Sequence, residues 1–212
     1  MGKIKQGILG GFSGKVANVV GSSWKGIAVM KSLPLSVANP RTAAQIAQRT
    51  KFSYVTLFAS SILANIIKPL WDRFASQMSG FNDFVRTNID LFTTAVPSTY
   101  ADLVISKGKM AAVNPSTISL TATNNHVSFH YSDHTVGAFE LETDICYLVF
   151  YNETQDEWGS KITTSPRGDG ESSFQLVNDP VADDVIHLWI AFRRTDGTVI
   201  SDTGYITDDV PA

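Results

Sequence analysis

His126, His130 and His134 recur every four residues. On an α-helix that spacing would stack three imidazoles on one face, an arrangement suited to a metal ion. Here they flank or lie in Val127–Tyr131, a run that reads as a β-strand. Four residues of strand span about 13 Å, so three such side chains cannot meet one ion at Zn–N distances of about 2 Å. These histidines are therefore expected at the surface or at strand ends, holding no metal. His187 alternates with Val185 and Trp189 and reads as a satisfied, half-buried side chain.

The other candidates for chemistry fail on spacing or setting. Gly14-Lys15 follows glycines in the manner of a phosphate-binding loop. Such a loop needs glycine where Leu9 stands and a hydroxyl where Val16 stands, and it must open a helix rather than a β-type run. Cys146 sits in the apolar run Ile145–Phe150 with no His or Lys beside it, so it reads as a small buried hydrophobe. As the only cysteine it also rules out an intramolecular disulfide. Asp183-Asp184 and Asp208-Asp209 are paired carboxylates expected in loops or at the C-terminus, where solvation accounts for them. Arg167-Gly168-Asp169 has the form of an adhesion tripeptide, but its turn-rich setting favours a plain β-turn. Nothing marks a nucleophile elbow. The expectation is of no enzyme, no cofactor and no metal.

Charge carries more information. Nine lysines and arginines precede the first acidic residue, Asp72. Residues 1–110 hold a net charge of +9 and residues 111–212 a net charge of −12, within a total of −3. Polarity of this size concerns partners and association rather than fold. The candidate interaction residues are Lys3, Lys5, Lys15, Trp24, Lys25, Lys31, Arg41 and Arg49. They could meet the acidic surface of another copy, or line phosphates while Trp24 stacks on a base. The lysines are spaced rather than clustered and no reading helix is evident, which favours protein over DNA.

Three segments must position these residues. Residues 1–40 are punctuated by glycines, with β-type runs at Val16–Val20 and Ile27–Lys31 and a hairpin loop expected at Gly21–Gly26. This arm has too few large apolar side chains for a core of its own. After Asn39-Pro40, residues 41–96 read as a helical hairpin. Thr42 and Gln45 have capping-box spacing, and Phe52, Val55, Ala59, Ile62 and Ile66 form an apolar stripe. Pro69 is expected to end or kink that helix. A second series, Phe74, Met78, Phe81, Val85 and Phe92, is expected to run helically past Gly80. Residues 97–212 turn to period two. Runs at Leu103–Ser106, Thr117–Ala122, Val127–Tyr131, Ile145–Tyr151, Ser173–Val177, Val185–Phe192 and Thr198–Tyr205 predict an antiparallel β-sandwich of immunoglobulin or fibronectin type. Between them, Asn124-Asn125, Asn152–Trp158, Arg167–Gly170, Asp179-Pro180 and Asp196-Gly197 read as turns, the last as a two-residue hairpin. The expected class is α+β. Neither a signal peptide nor a membrane span is recognised, since Phe52–Ile67 carries serines and an asparagine and is closed by Lys68-Pro69.

Five stretches taken together are more specific: MGKIKQGILGGFSGKVANVVG, WKGIAVMKSLP, NPRTAAQIAQRTKF, DLVISKGKM and HLWIAFRRTDGTVISDTGYI. In this order they closely resemble a domain-of-unknown-function family of Bacteroidota-type bacteria and their phages. The chain departs at Ala17, where the family tends to have glycine. The resemblance implies context rather than chemistry: small proteins without signals, suited to phage or prophage particles. The expected role is a non-enzymatic structural protein of a virion, in head or tail, assembling with copies of itself and other virion proteins. The alternatives are a nucleic-acid-associated protein using the basic arm, and a bacterial surface or injection-system component.

Overall fold

The computed structural model describes residues 2–4, 12–36, 41–113, 119–123, 126–131, 139–176, 178 and 184–209. The fold is α+β, and the chain divides into two units: residues 1–47 with 76–78, and residues 48–75 with 79–212. The expected boundary at 96/97 falls inside the second of them.

The first unit is built on a ribbon. Strands β1 (Gly2–Ile4), β2 (Gly14–Val16), β3 (Val19–Trp24) and β4 (Ile27–Ser32) pair antiparallel in the order β1-β4-β3-β2. Lys25 and Gly26 join β3 to β4 with φ of 47° and 79°, the left-handed pair that a primed hairpin turn requires. The loop is therefore only two residues long, and Gly21–Trp24, expected within it, continue β3. The expected run Val16–Val20 is likewise divided, because Ala17 and Asn18 turn the chain between β2 and β3. Asn39-Pro40 lies outside the described residues.

Ala17 has φ 48°. A side chain there costs about 1–2 kcal/mol, partly offset because glycine loses about 0.5–1 kcal/mol more backbone freedom on folding. Ala17→Gly is expected to stabilise the ribbon by about 0.5–1 kcal/mol, read as slower amide exchange in β2 and β3. Faster exchange would contradict this.

Helix α1 (Ala43–Ser61) opens on the expected capping box. The Gln45 N–H donates to Thr42 Oγ1 at 3.4 Å, and the Thr42 N–H donates to Gln45 Oε1 at 3.3 Å. Within the second unit Val55, Phe58, Ala59, Ile62 and Ile66 are buried, but Phe52, expected to begin the stripe, is 53% exposed. The bend comes before Pro69. Ile62 leaves helical geometry (φ −99°, ψ 8°), and Leu63–Ile67 wind as a π-helical turn. Pro69 then sits in the first turn of α2 (Lys68–Trp71), where its missing N–H costs nothing. The arms of this bent helix differ by 72°, and among the described residues no single helix is long and apolar enough to cross a membrane.

The second apolar series is not one helical face. Residues 72–79 are turns, and α3 (Gly80–Asn88) starts afresh from Ser79, whose Oγ accepts from the Asn82 N–H at 3.2 Å. Gly80 is needed at the junction. Its N–H donates to Asp72 Oδ1 at 2.9 Å, and a Cβ there would lie 2.6 Å from the Asp72 nitrogen. Val85 and Phe92 are buried, whereas Phe74 stays exposed.

Seven strands complete this unit: β5 (Ser119–Thr123), β6 (His126–His130), β7 (Ile145–Asn152), β8 (Glu157–Pro166), β9 (Glu171–Gln175), β10 (Val185–Arg193) and β11 (Gly204–Asp209). They form two antiparallel sheets, β11-β10-β7-β8 and β5-β6-β9. Strands β7 and β10 are buried on both faces. Cys146, Leu148, Phe150, Leu188, Ile190 and Phe192 join Val127, Phe129 and Phe174 in one core. Tyr147, Val149, Tyr151, Trp189 and Ala191 join the helical residues Phe58, Ile62, Ile66, Trp71 and Phe84 in another. This double burial explains why both strands read as continuous apolar runs.

Three strand expectations change. Leu103–Ser106 is not a strand, because side chains rather than a ladder satisfy its backbone. Asn88 takes the Val104 N–H at 2.9 Å and donates to the Val104 carbonyl at 3.0 Å, while Thr203 Oγ1 accepts from both Ile105 and Ser106. The Trp71 indole N–H donates to the Ile105 carbonyl at 2.8 Å. Of Thr198–Tyr205, only Gly204 and Tyr205 lie in β11, while Ile200 and Ser201 make isolated bridges to Arg193 and Met110. The chain turns at Asp196-Gly197, with Gly197 at φ 71°, but in a four-residue loop rather than a two-residue hairpin, since the Arg194 N–H donates to the Val199 carbonyl at 3.0 Å. Strand β8 begins inside a stretch expected to be turn. Asn124-Asn125 and Asp179-Pro180 lie outside the described residues.

Candidate functional site

In an antiparallel sheet directly paired residues share a face, and successive residues alternate. The ribbon pairs Val20 with both Lys15 and Lys31, Ser22 with Val29, and Trp24 with Ile27. Stepping by two along β3 therefore places Lys15, Lys31 and Trp24 on one face, over Val20, Val29 and Ile27. Strands lie about 4.8 Å apart and rise about 3.3 Å per residue. The two lysines thus flank β3 about 10 Å apart, with Trp24 about 13 Å farther along the strand. Trp24 is 56% exposed. Val16 and Met30 are exposed from the opposite face, and Gly21 is the one buried residue among residues 12–36.

Lys3 occupies the β1 position paired with Val29, a position of the same face. The remaining candidates are dispersed, and Lys5 lies outside the described residues. The Lys25 ammonium donates to the Met78 carbonyl. Arg41 is exposed at φ 50° ahead of α1, and Arg49 is exposed on α1 in the second unit. The register thus brings four of the eight positions, those of Lys3, Lys15, Trp24 and Lys31, to one face. Unit one contains six lysines and arginines and no acid, so it carries +6, leaving −9 on the second.

The other sequence candidates are structural. His126 and His130 are exposed ends of β6, His130 Nδ1 lying 3.3 Å from Glu171, and His134 is outside the described residues. Among the described residues no three His, Cys, Asp or Glu side chains converge as for a metal ion. His187 is buried rather than half-buried. Its Nδ1 lies 2.8 Å from the Tyr205 hydroxyl and its Nε2 3.1 Å from Glu153, while Tyr100 stacks on the ring at 3.9 Å. Burial pushes the Tyr100 and Tyr205 hydroxyls up. Both ring nitrogens are occupied, so this cluster packs the sheet.

Solvation does not account for Asp184, which is buried and accepts from Asn152 Nδ2 at 2.8 Å and Gln155 Nε2 at 2.7 Å. Asp183 lies outside the described residues, and Asp208 and Asp209 belong to β11. Arg167–Asp169 is a turn of 3-10 type closed by Gly170 at φ 70°. Its arginine points inward, 4.4 Å over the Phe192 ring and 3.9 Å from Asp144. Burial lowers the guanidinium and raises the Asp144 carboxyl. An adhesion tripeptide needs that arginine outside.

Cys146 is fully buried, which pushes its thiol up from 9.0 to about 12. At pH 8 the native thiolate fraction is lower than that of an ordinary thiol by about 10³-fold. Iodoacetamide labelling is therefore expected to proceed at least that much more slowly in native protein than in urea. Comparable rates would contradict the buried assignment.

The model of a family of unknown function, DUF6266, matches residues 11–207. The chain belongs to that family. No curated protein matches it. The match runs from the ribbon into β11, so DUF6266 is defined across both units and includes the basic face together with the strands.

Proposed function

We propose that this DUF6266 chain is a non-enzymatic structural protein that assembles with copies of itself and other particle components. In this reading the basic ribbon of one copy meets the acidic surface of the next, and the setting is the head or tail of a phage particle. The observation that carries it is the division of charge by unit: +6 without a single acid on the unit built on the ribbon, and −9 on the remainder. A coreless sheet with exposed Val16, Trp24 and Met30 gains stability when a partner covers it. An acidic partner also matches its lysines.

Strand order supports an immunoglobulin- or fibronectin-like reading of the second unit. Named in chain order A, B, C, C′, E, F and G, strands β5 to β11 form the sheets A-B-E and G-F-C-C′, the division used by such sandwiches. The helices packed against the G-F-C-C′ sheet are an addition to that plan. A second reading, nucleic-acid binding, draws on the placement of Lys15, Lys31 and Trp24 on one face, a geometry that suits phosphates and a stacked base.

Lys15→Glu, Lys25→Glu and Lys31→Glu together separate the two. For self-assembly, the variant sediments as a monomer under conditions where the parent chain associates, and duplex DNA changes neither. Unchanged association would overturn the self-assembly reading. Tight DNA binding by a monomer, falling log-linearly with salt and lost in the variant, would replace it with the second.

A further inference from the structure

A cavity of about 410 Å³ opens in the second unit, lined by none of the candidate interaction residues. Its apolar surface comes from Phe74, Phe139, Val199 and Ile200, and its cationic side from Lys107 and Lys109. Phe74 and Phe139 are 43% and 44% exposed, so two of this unit's large exposed apolar side chains converge on one opening.

The lysines stand on a fixed backbone. Gly108 presses against the Ile200 carbonyl, where a Cβ would come within 1.9 Å of the oxygen, so no other residue fits between the lysines without displacing that chain. The Gly108 N–H donates to Asp202 Oδ1 at 3.0 Å, and the N–H groups of Lys109 and Met110 donate to the Ile200 carbonyl at 2.9 and 3.1 Å. Lys107 and Lys109 both line the cavity, one on each side of Gly108 in the chain. Among the described residues neither ammonium has a carboxylate within 4.0 Å.

Further charged groups of both signs stand around the opening. Arg73 Nη1 donates to the Asp196 carbonyl and Arg194 Nη2 to the Phe139 carbonyl. The Asp196 carboxylate is already engaged by the Thr198 N–H at 2.7 Å and hydroxyl at 2.6 Å, and Asp202 by Gly108. Glu140 accepts from the Ala111 and Phe139 N–H groups, each at 3.2 Å, so these three carboxylates are held by local donors rather than by the two lysines. Ligand pockets typically measure about 300–1,000 Å³ and pair an apolar lining with a few convergent polar groups.

We infer that this cavity binds a small anionic amphiphile, a carboxylate on an aromatic or short acyl body. The body lies between Phe74 and Phe139 on the Val199-Ile200 floor, and the carboxylate is held by the two ammonium groups. This site does not depend on the self-assembly reading, because it uses neither the ribbon nor a second copy. The probe is 1-naphthoate, with 1-naphthamide as its neutral counterpart, titrated against the full chain by calorimetry and chemical-shift mapping. Naphthoate is expected to saturate with Kd below about 1 mM and to shift the resonances of residues 107–109 and 198–200. Naphthamide, and naphthoate with the Lys107→Ala/Lys109→Ala variant, are each expected to bind at least tenfold more weakly. Phe139→Ala is expected to weaken naphthoate while leaving its preference over naphthamide intact. Equal binding of the two probes, an unaffected double variant, or no saturable binding would overturn the assignment. Both lysines are exposed, so loss in the double variant is not a folding defect.

Discussion

Trp189→Ala is expected to cost the second unit about 3–5 kcal/mol, the range for removing a large aromatic side chain from a core. Trp189 is fully buried, and its ring lies 5.6 Å from Trp158 and 5.5 Å from Tyr205. Its indole N–H donates to the Tyr100 carbonyl at 2.9 Å, a hydrogen bond that the substitution also removes. Domains hold only about 5–15 kcal/mol in total, so the urea midpoint should fall by a large fraction or the fold be lost. A change below about 0.5 kcal/mol, within the range of surface substitutions, would mean that the aromatic cluster is not a core.

Residues 97–212 alone are expected to fail as a soluble, cooperatively folding piece, although the period-two pattern marks them as a domain. Tyr147, Val149, Tyr151, Trp189 and Ala191 lose their cover when Phe58, Ile62, Ile66, Trp71 and Phe84 are removed. Asn88, which supplies both hydrogen bonds to Val104, goes with them. The bared sheet face should bind a hydrophobic dye and aggregate, whereas residues 42–212 should unfold in one cooperative urea transition. A soluble 97–212 fragment with sharp, dispersed amide resonances would show that the helices are dispensable.

These two expectations also mark where sequence reasoning reached and where it stopped. The strands β7 and β10 were legible as unbroken apolar runs, but such a run does not say what covers its second face. Helices cover it here, as the sequence pattern of the sheet alone cannot reveal. Strand β8 was invisible because an edge strand needs only partial burial, and Ser160, Lys161, Thr163 and Thr164 give it no apolar alternation. The capping box at Thr42 and Gln45 was legible because that interaction is local. The bend at Ile62 was not, since Pro69 drew attention seven residues downstream while the helix accommodated it in a first turn. In the candidate surface, the basic composition was plain, but the face was not. Lys15, Trp24 and Lys31 are united only by the register that the turns at Ala17 and Lys25 impose, and glycine punctuation left the positions of those turns open. The buried partners of His187 and Asp184 and the Lys107–Lys109 cavity depend on contacts between distant segments.

The central claim is that copies of the chain associate through opposite charge, ribbon to acidic unit. Sedimentation equilibrium of the intact chain at about 0.05 M and about 0.5 M salt tests it most directly, since the screening length falls from about 14 Å to about 4 Å across that range. The account predicts self-association at low salt whose constant drops at least tenfold at high salt. Association of equal strength at both concentrations, or a monomer throughout, would contradict it.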